Sequence, residues 1–266
     1  MKKRVLSAVI LLLIFVPLLF KGGIFFAGLM AILSAICLYE LLNIRKKVRP
    51  FPVNVEIFSY ILTMFFTMNG YNDGGVLYSL DYRLISFLIL VNLLPLVFIN
   101  DKDKYNLTDA LFLVGTTLLI GLTFNVLVLL REYNIDYVIY IFLITTLTDT
   151  FAYITGKYIG TKKIVPNISP NKTLEGCIGG SLVATFAAVL YFISVFDTNM
   201  PVLMISLITF TLTVLAQIGD IVFSFIKREY KIKDFSNIIP GHGGLLDRLD
   251  SVFFVTLGFI IILSIM

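Results

Sequence analysis

Hydrophobic residues along this chain fall in long unbroken runs, not in alternation, and polar residues collect between the runs. A bilayer core of about 30 Å takes roughly 20 apolar residues per helix, with shorter spans accommodated by tilt or thinning. Nine runs approach that length, at residues 5–20, 23–43, 55–70, 84–100, 109–130, 137–157, 175–198, 201–226 and 248–266. The pattern predicts an all-α, polytopic integral membrane protein with about nine transmembrane helices, the third and fourth least sharply bounded. No soluble domain, low-complexity tract or internal repeat interrupts it. Residues 1–266 therefore read as a single membrane domain, with N-terminal helices over 1–136 and, over 137–266, the helices and cytoplasmic loops that carry the candidate chemistry.

Composition agrees. The chain is 58% hydrophobic and only 14% charged, whereas a soluble domain carries about 25% charged residues. A net charge of +4 would suggest nucleic acid in a soluble protein; here the placement of the basic residues matters more, and no nucleic-acid partner is expected. With a cytoplasmic N-terminus, Lys2, Lys3, Arg4, Arg45, Lys46, Lys47, Arg49, Lys102, Lys104, Lys157, Lys162, Lys163, Lys172, Lys227, Arg228, Lys231, Lys233 and Arg248 lie inside. Only Lys21, Arg83 and Arg131 lie outside, eighteen against three, the bias of the positive-inside rule. The outer segment from Gly70 to Arg83 reads as a solvated turn. The first run lacks a small-residue cleavage site at Phe20-Lys21-Gly22, so it reads as a membrane helix and not a signal peptide. Cys37 and Cys177 sit in apolar runs, as packing residues without a disulfide framework.

Against this background a few polar residues stand out. Residues 224–250 hold Lys227, Arg228, Lys231, Lys233, His242 and Arg248 beside Asp234, Asp247 and Asp250. Within them Pro240-Gly241-His242-Gly243-Gly244 cannot be ordinary helix; it reads as a tight loop whose N–H groups suit an anion, while the aspartates suit a hard divalent cation. Just before it, Gln217, Asp220, Ser224 and Lys227 fall at helical spacing on one face. Asp149 lies inside the sixth run, where a charge costs at least a few kcal/mol unless it faces a wet cavity or a partner. The loop Ile168-Ser169-Pro170-Asn171-Lys172-Thr173-Leu174-Glu175-Gly176 opens the seventh helix, with Ser169 or Thr173 as its cap and Lys172 at the mouth. Gly176, Gly180, Ala184 and Ala188 recur every fourth residue, a face that admits another helix closely, of this chain or across a homodimer. His242, the one histidine, reads as a hydrogen-bonding loop residue more than as a base. From these residues alone, the chemistry is metal-assisted phosphoryl chemistry at the inner face.

The spacing Ser224-x-x-Lys227-Arg228-x4-Lys233-Asp234 followed by Pro240-x-His242-Gly243-Gly244-x-x-Asp247-Arg248-x-Asp250 resembles the signature of the phosphatidate cytidylyltransferases, the CDP-diacylglycerol synthases. Asp149 with Ala152-Tyr153 and Gly156, and the Ser-Pro-x-Lys-Thr-x-Glu-Gly segment, resemble further parts of the same pattern. The resemblance covers about 100 residues, 149–250. It implies a nucleotidyltransferase of phospholipid biosynthesis in the plasma (inner) membrane, multi-pass, its active site facing the cytoplasm, that converts CTP and phosphatidate into CDP-diacylglycerol and pyrophosphate. It implies Mg2+ on Asp220 and Asp247, and a second cation, potassium, near the first. Asp149 would be a further cation ligand or a support behind one. Lys172, Lys227, Arg228, Lys233 and Arg248 would hold phosphates, Gly243 and Gly244 would offer N–H groups, and Ser224 and His242 would line the substrate. Glu175 and Asp250 would orient basic neighbours.

Other classes make distinct demands. A polyprenol kinase or an archaeal-type lipid cytidylyltransferase would share the inner-face charge and differ in the lipid it accepts. A CDP-alcohol phosphotransferase needs an aspartate pattern that is absent. A transporter would place its charges near the midplane, often in repeated halves; here they gather at one face.

Overall fold

The computed structural model describes residues 2–46, 50–69, 82–99, 101 and 104–265. Lys47, Arg49, Lys102 and residues 70–81 of the expected outer turn lie outside the described residues, as do the side chains of Lys2, Lys3 and Arg4. The described residues form ten α-helices: α1 (Lys2–Lys21), α2 (Gly23–Lys46), α3 (Val53–Met68), α4 (Tyr82–Leu93), α5 (Pro95–Phe98), α6 (Leu107–Tyr133), α7 (Ile135–Ile159), α8 (Leu174–Val195), α9 (Val202–Glu229) and α10 (Leu246–Leu263). The nine apolar runs become ten helices because Pro95 divides the fourth run, its ring lacking the N–H that a continuous helix would use. Local chemistry sets other boundaries. Pro52 and Pro201 precede α3 and α9, and Asn106 with Asp109 forms a capping box on α6.

Among the described residues five helices, α2, α6, α7, α8 and α9, are long and apolar enough to cross a membrane. The first turns of α10 hold Asp247, Arg248 and Asp250, which sets it apart from these five. Large apolar side chains point outward along the helices, Leu13 and Phe186 each 68% exposed and Leu203 72% exposed. Such a surface suits lipid and not water.

The chain divides into two compact units. The first comprises Met1–Ile135 with Asp234–Asp247. Its helices pack around Phe26, Met30, Leu38, Leu42, Leu88 and Phe124, all fully buried. Arg45 at the end of α2 pairs at 2.6 Å with Asp109 at the start of α6, so that capping residue also anchors a second helix. The second unit comprises Asp136–Lys233 with Arg248–Met266. Its core includes a ring cluster of Tyr137, Tyr140, Phe192, Phe196 and Phe259, with the Tyr140 hydroxyl 2.7 Å from Thr209 Oγ1. The Asp234–Asp247 loop groups with the N-terminal helices and not with the helices that flank it in sequence.

Candidate active site

In the second unit, small residues decide how closely α7 and α8 approach. A Cβ on Gly180 would lie 2.7 Å from the Thr148 carbonyl, and one on Gly176 would lie 2.7 Å from the Ala152 carbonyl. The Gly176, Gly180, Ala184, Ala188 face is buried, and its two glycines meet α7 of the same chain. Ala152 and Gly156, beside Asp149 in sequence, therefore have a packing role in this contact.

The loop between α7 and α8 is organised by Glu175, whose carboxylate accepts from Thr161 N at 3.0 Å, Thr161 Oγ1 at 2.5 Å and Lys162 N at 3.2 Å. An isolated bridge joins Lys163 to Thr173, and the Lys163 ammonium donates to the Pro170 carbonyl. Thr173 caps α8 by accepting from Gly176 N; of the two caps expected from sequence, Thr173 serves. Glu175 thus orders backbone more than a basic side chain. The result is a folded-back loop with Lys172 at its root.

Lys172 Nζ donates to Asp220 Oδ2 at 2.8 Å and to the Gln217 carbonyl at 2.9 Å. Gln217 is fixed in turn, its Nε2 donating to Cys177 O and Ser181 Oγ at 2.8 and 2.7 Å. Ser224 Oγ lies 3.4 Å from Asp220 Oδ1. The stripe read from sequence, Gln217, Asp220, Ser224 and Lys227, is therefore one polar face in which Asp220 alone keeps substantial exposure, 33% for its side chain. On α7, Asp149 accepts long hydrogen bonds of 3.4 to 3.5 Å from Ser251 of α10.

Electrostatics ties these groups together. Asp149 interacts with Asp220, Lys172 and Arg248; Asp250 interacts with Asp220, Asp149 and Lys227. Three carboxylates from α7, α9 and α10 thus share one field with three cations. Asp250, expected only to orient basic neighbours, joins this cluster, and its Oδ1 accepts from Ser251 N at 2.8 Å. Arg228 does otherwise: its guanidinium donates to the carbonyls of Ile168 and Ile232 and holds loop backbone. Lys233 is exposed.

The first unit holds the glycine-rich loop. Gly241 and Gly243 have φ of +81° and +84°, a region that favours glycine. His242 Nδ1 lies 2.9 Å from Ser7 Oγ of α1, and that hydroxyl also donates to Pro240 O. Asp247 Oδ2 accepts from Phe235 N and Gly244 N, each at 2.9 Å. Gly244, expected to offer its N–H to an anion, spends it on Asp247. Glu40 of α2, a residue that sequence reasoning passed over, accepts from Leu245 N, Leu246 N and Ser236 Oγ. Its one sequence signal is a lone carboxylate inside an apolar run.

A hard divalent cation such as Mg2+ fits the donor set of the second unit. Mg2+ takes one or two carboxylates and fills the remaining positions with water and substrate phosphate oxygens. Among the described residues no three His, Cys, Asp or Glu side chains close into a ready-made cage.

The comparisons with known proteins agree over the whole length. The phosphatidate cytidylyltransferase of Staphylococcus aureus (strain COL) is 37% identical over 263 residues, covering 96% of each chain. Those of Staphylococcus saprophyticus and Staphylococcus haemolyticus are 35% identical over 256 and 260 residues, again 96% of each chain. The family model described as the cytidylyltransferase family matches residues 2–266, and with that match running through both units the chain belongs to the cytidylyltransferase family.

Proposed function

We propose that this chain is a membrane-embedded nucleotidyltransferase that makes CDP-diacylglycerol and pyrophosphate from CTP and phosphatidate, for phospholipid biosynthesis. The observation that carries this is the gathering of Asp149, Asp220 and Asp250 with Lys172, Lys227 and Arg248 in one unit. The names of the staphylococcal relatives supply the substrates.

In the reaction an oxygen of the phosphatidate phosphate forms a bond to the α-phosphorus of CTP, and the bond from that phosphorus to the bridging oxygen of the β-phosphate breaks. Pyrophosphate carries off the electron pair. The attacking phosphate is already ionised near neutral pH, so no protein nucleophile is needed. What opposes reaction is repulsion: two unit charges about 4 Å apart interact by roughly 4 kcal/mol at an effective dielectric near 20. Lys172, Lys227, Lys233 and Arg248 would hold phosphate oxygens and offset that repulsion, with Arg228 shaping the loop beside them. Ser224 and the His242-Gly243-Gly244 turn would line the substrate. Asp220, Asp149 and Asp247 would hold Mg2+, with K+ as a second cation, and Asp250 would support them. When bound, Mg2+ neutralises charge on phosphoryl oxygens.

Nine spans with a cytoplasmic N-terminus complete this picture. The eighteen-to-three distribution of basic residues supports it and turns both polar loops toward the cytoplasmic face of the plasma membrane, where CTP is available.

The test is pyrophosphate release by purified protein in mixed micelles. Release should require both CTP and phosphatidate, and EDTA should abolish it until Mg2+ is restored. CDP release with a polyprenol as acceptor, or no pyrophosphate with phosphatidate, would overturn the assignment.

A further inference from the structure

Glu40 is fully buried and takes no part in the chemistry described above. It lies in the second half of α2, yet its bonds reach the glycine-rich loop of the same unit. Oε1 accepts from Leu245 N at 2.8 Å and Ser236 Oγ at 2.5 Å, and Oε2 accepts from Leu246 N at 2.8 Å. Ser236 Oγ also receives Ile238 N at 3.1 Å. A Cβ on Gly244 would sit 2.6 Å from Oε1 and 2.8 Å from Oε2.

The first N–H groups of a helix have no partner within it. A nearby Ser, Thr, Asp or Asn usually accepts from them, but Gly243 and Gly244 offer no side chain before α10. Glu40 fills that place from 205 residues away. All three of its partners are donors, so an acceptor-only carboxylate matches them, whereas an amide would turn an NH2 toward a backbone N–H. The loop is therefore closed by two carboxylates. Asp247 joins Phe235 to Gly244 from within, and Glu40 joins Ser236 to Leu245 and Leu246 from α2.

We propose that Glu40 is a positioning residue for the transfer reaction: it fixes the turn that delivers Asp247, and residue 244 is glycine because the Glu40 carboxylate occupies the space of its side chain. The role in turnover rests on the cytidylyltransferase reading above; the role in ordering the loop does not.

The test pairs turnover with a measurement that needs no substrate. Glu40→Gln should lower kcat roughly 100-fold, the penalty of a misplacement near 1 Å, with KM for phosphatidate unchanged. In the same detergent-solubilised protein, trypsin should cut faster after the exposed Lys231 beside the loop, while the midpoint of global thermal unfolding stays near that of the wild type. Gly244→Ala should also be impaired, and shortening the acid in Glu40→Asp/Gly244→Ala should recover activity by making room for the new Cβ. Wild-type kcat in Glu40→Gln, or a loss of activity that follows loss of folded protein with unchanged cleavage, would overturn the proposal. Should Glu40→Gln not accumulate, the alanine pair decides, and absence of recovery overturns it. Wild-type protein inactive on CTP and phosphatidate would remove the role in turnover, and cleavage would still report whether Glu40 holds the loop.

Discussion

Asn92 in the first unit and Asp220 in the second are both polar residues set in apolar helices, and their surroundings differ in kind. Asn92 is buried, donates to Leu88 O and Thr117 Oγ1, and accepts from Ser59 Oγ; the Tyr105 hydroxyl closes on its carbonyl at 2.8 Å. Elsewhere in the same unit Thr67 donates to Ser34 at 3.1 Å, and Asn125 donates to the carbonyls of Phe66 and Asn69 that end α3. These groups satisfy one another between helices, which is how polar residues are tolerated at membrane depth. Asp220 is one-third exposed and tied to one lysine, and it shares its field with two more carboxylates. A closed network stabilises a fold. A cluster of like charges left accessible costs stability and is kept where a ligand completes it.

Four substitutions would break or sharpen that contrast. Asp220→Asn should have the largest effect, a loss of turnover of roughly 100-fold or more with an unchanged unfolding midpoint in detergent; normal turnover would remove Asp220 from the site. Lys172→Gln should cost about tenfold in kcat/KM for CTP, the factor that 1.4 kcal/mol controls. Gly180→Val should destabilise by about 1–3 kcal/mol through overpacking against the Thr148 backbone. Both the unfolding midpoint and the activity should fall, because that contact sets the helix bearing Asp149. Asn92→Ala should be mildest, about 1 kcal/mol of stability, with the specific activity of the folded protein unchanged. Loss of turnover in Asn92→Ala without unfolding would erase the distinction between the units.

Much of this was legible in the chain. Each expected run contains helix, displaced by a few residues at its ends, since hydropathy reports lipid-facing length and not the caps that stop a helix. Pro95 was visible, but its splitting of α4 from α5 was not drawn from it. Lys172 and Asp220 were each legible, one from the loop motif and the other from helical spacing on α9, but their pairing was not, because neither pattern names the other as its partner. The commitment of Gly244 N–H to Asp247 was not, because a glycine-rich turn can point its N–H groups inward or outward with the same sequence. Glu40 was invisible as an anchor, because a single carboxylate in an apolar run names no partner.

The sequence by itself determined the all-helical membrane character and the stretches where charge concentrates, because the energy of burying apolar runs and of keeping charge wet depends on composition and spacing alone. Tertiary structure decided which charges share a field and which carboxylate holds which backbone, since the partners of Glu40, Asp149 and Asp220 lie on segments far apart in the chain. Hydrogen bonds and Coulomb interactions act over a few ångströms of space, and only folding sets those distances.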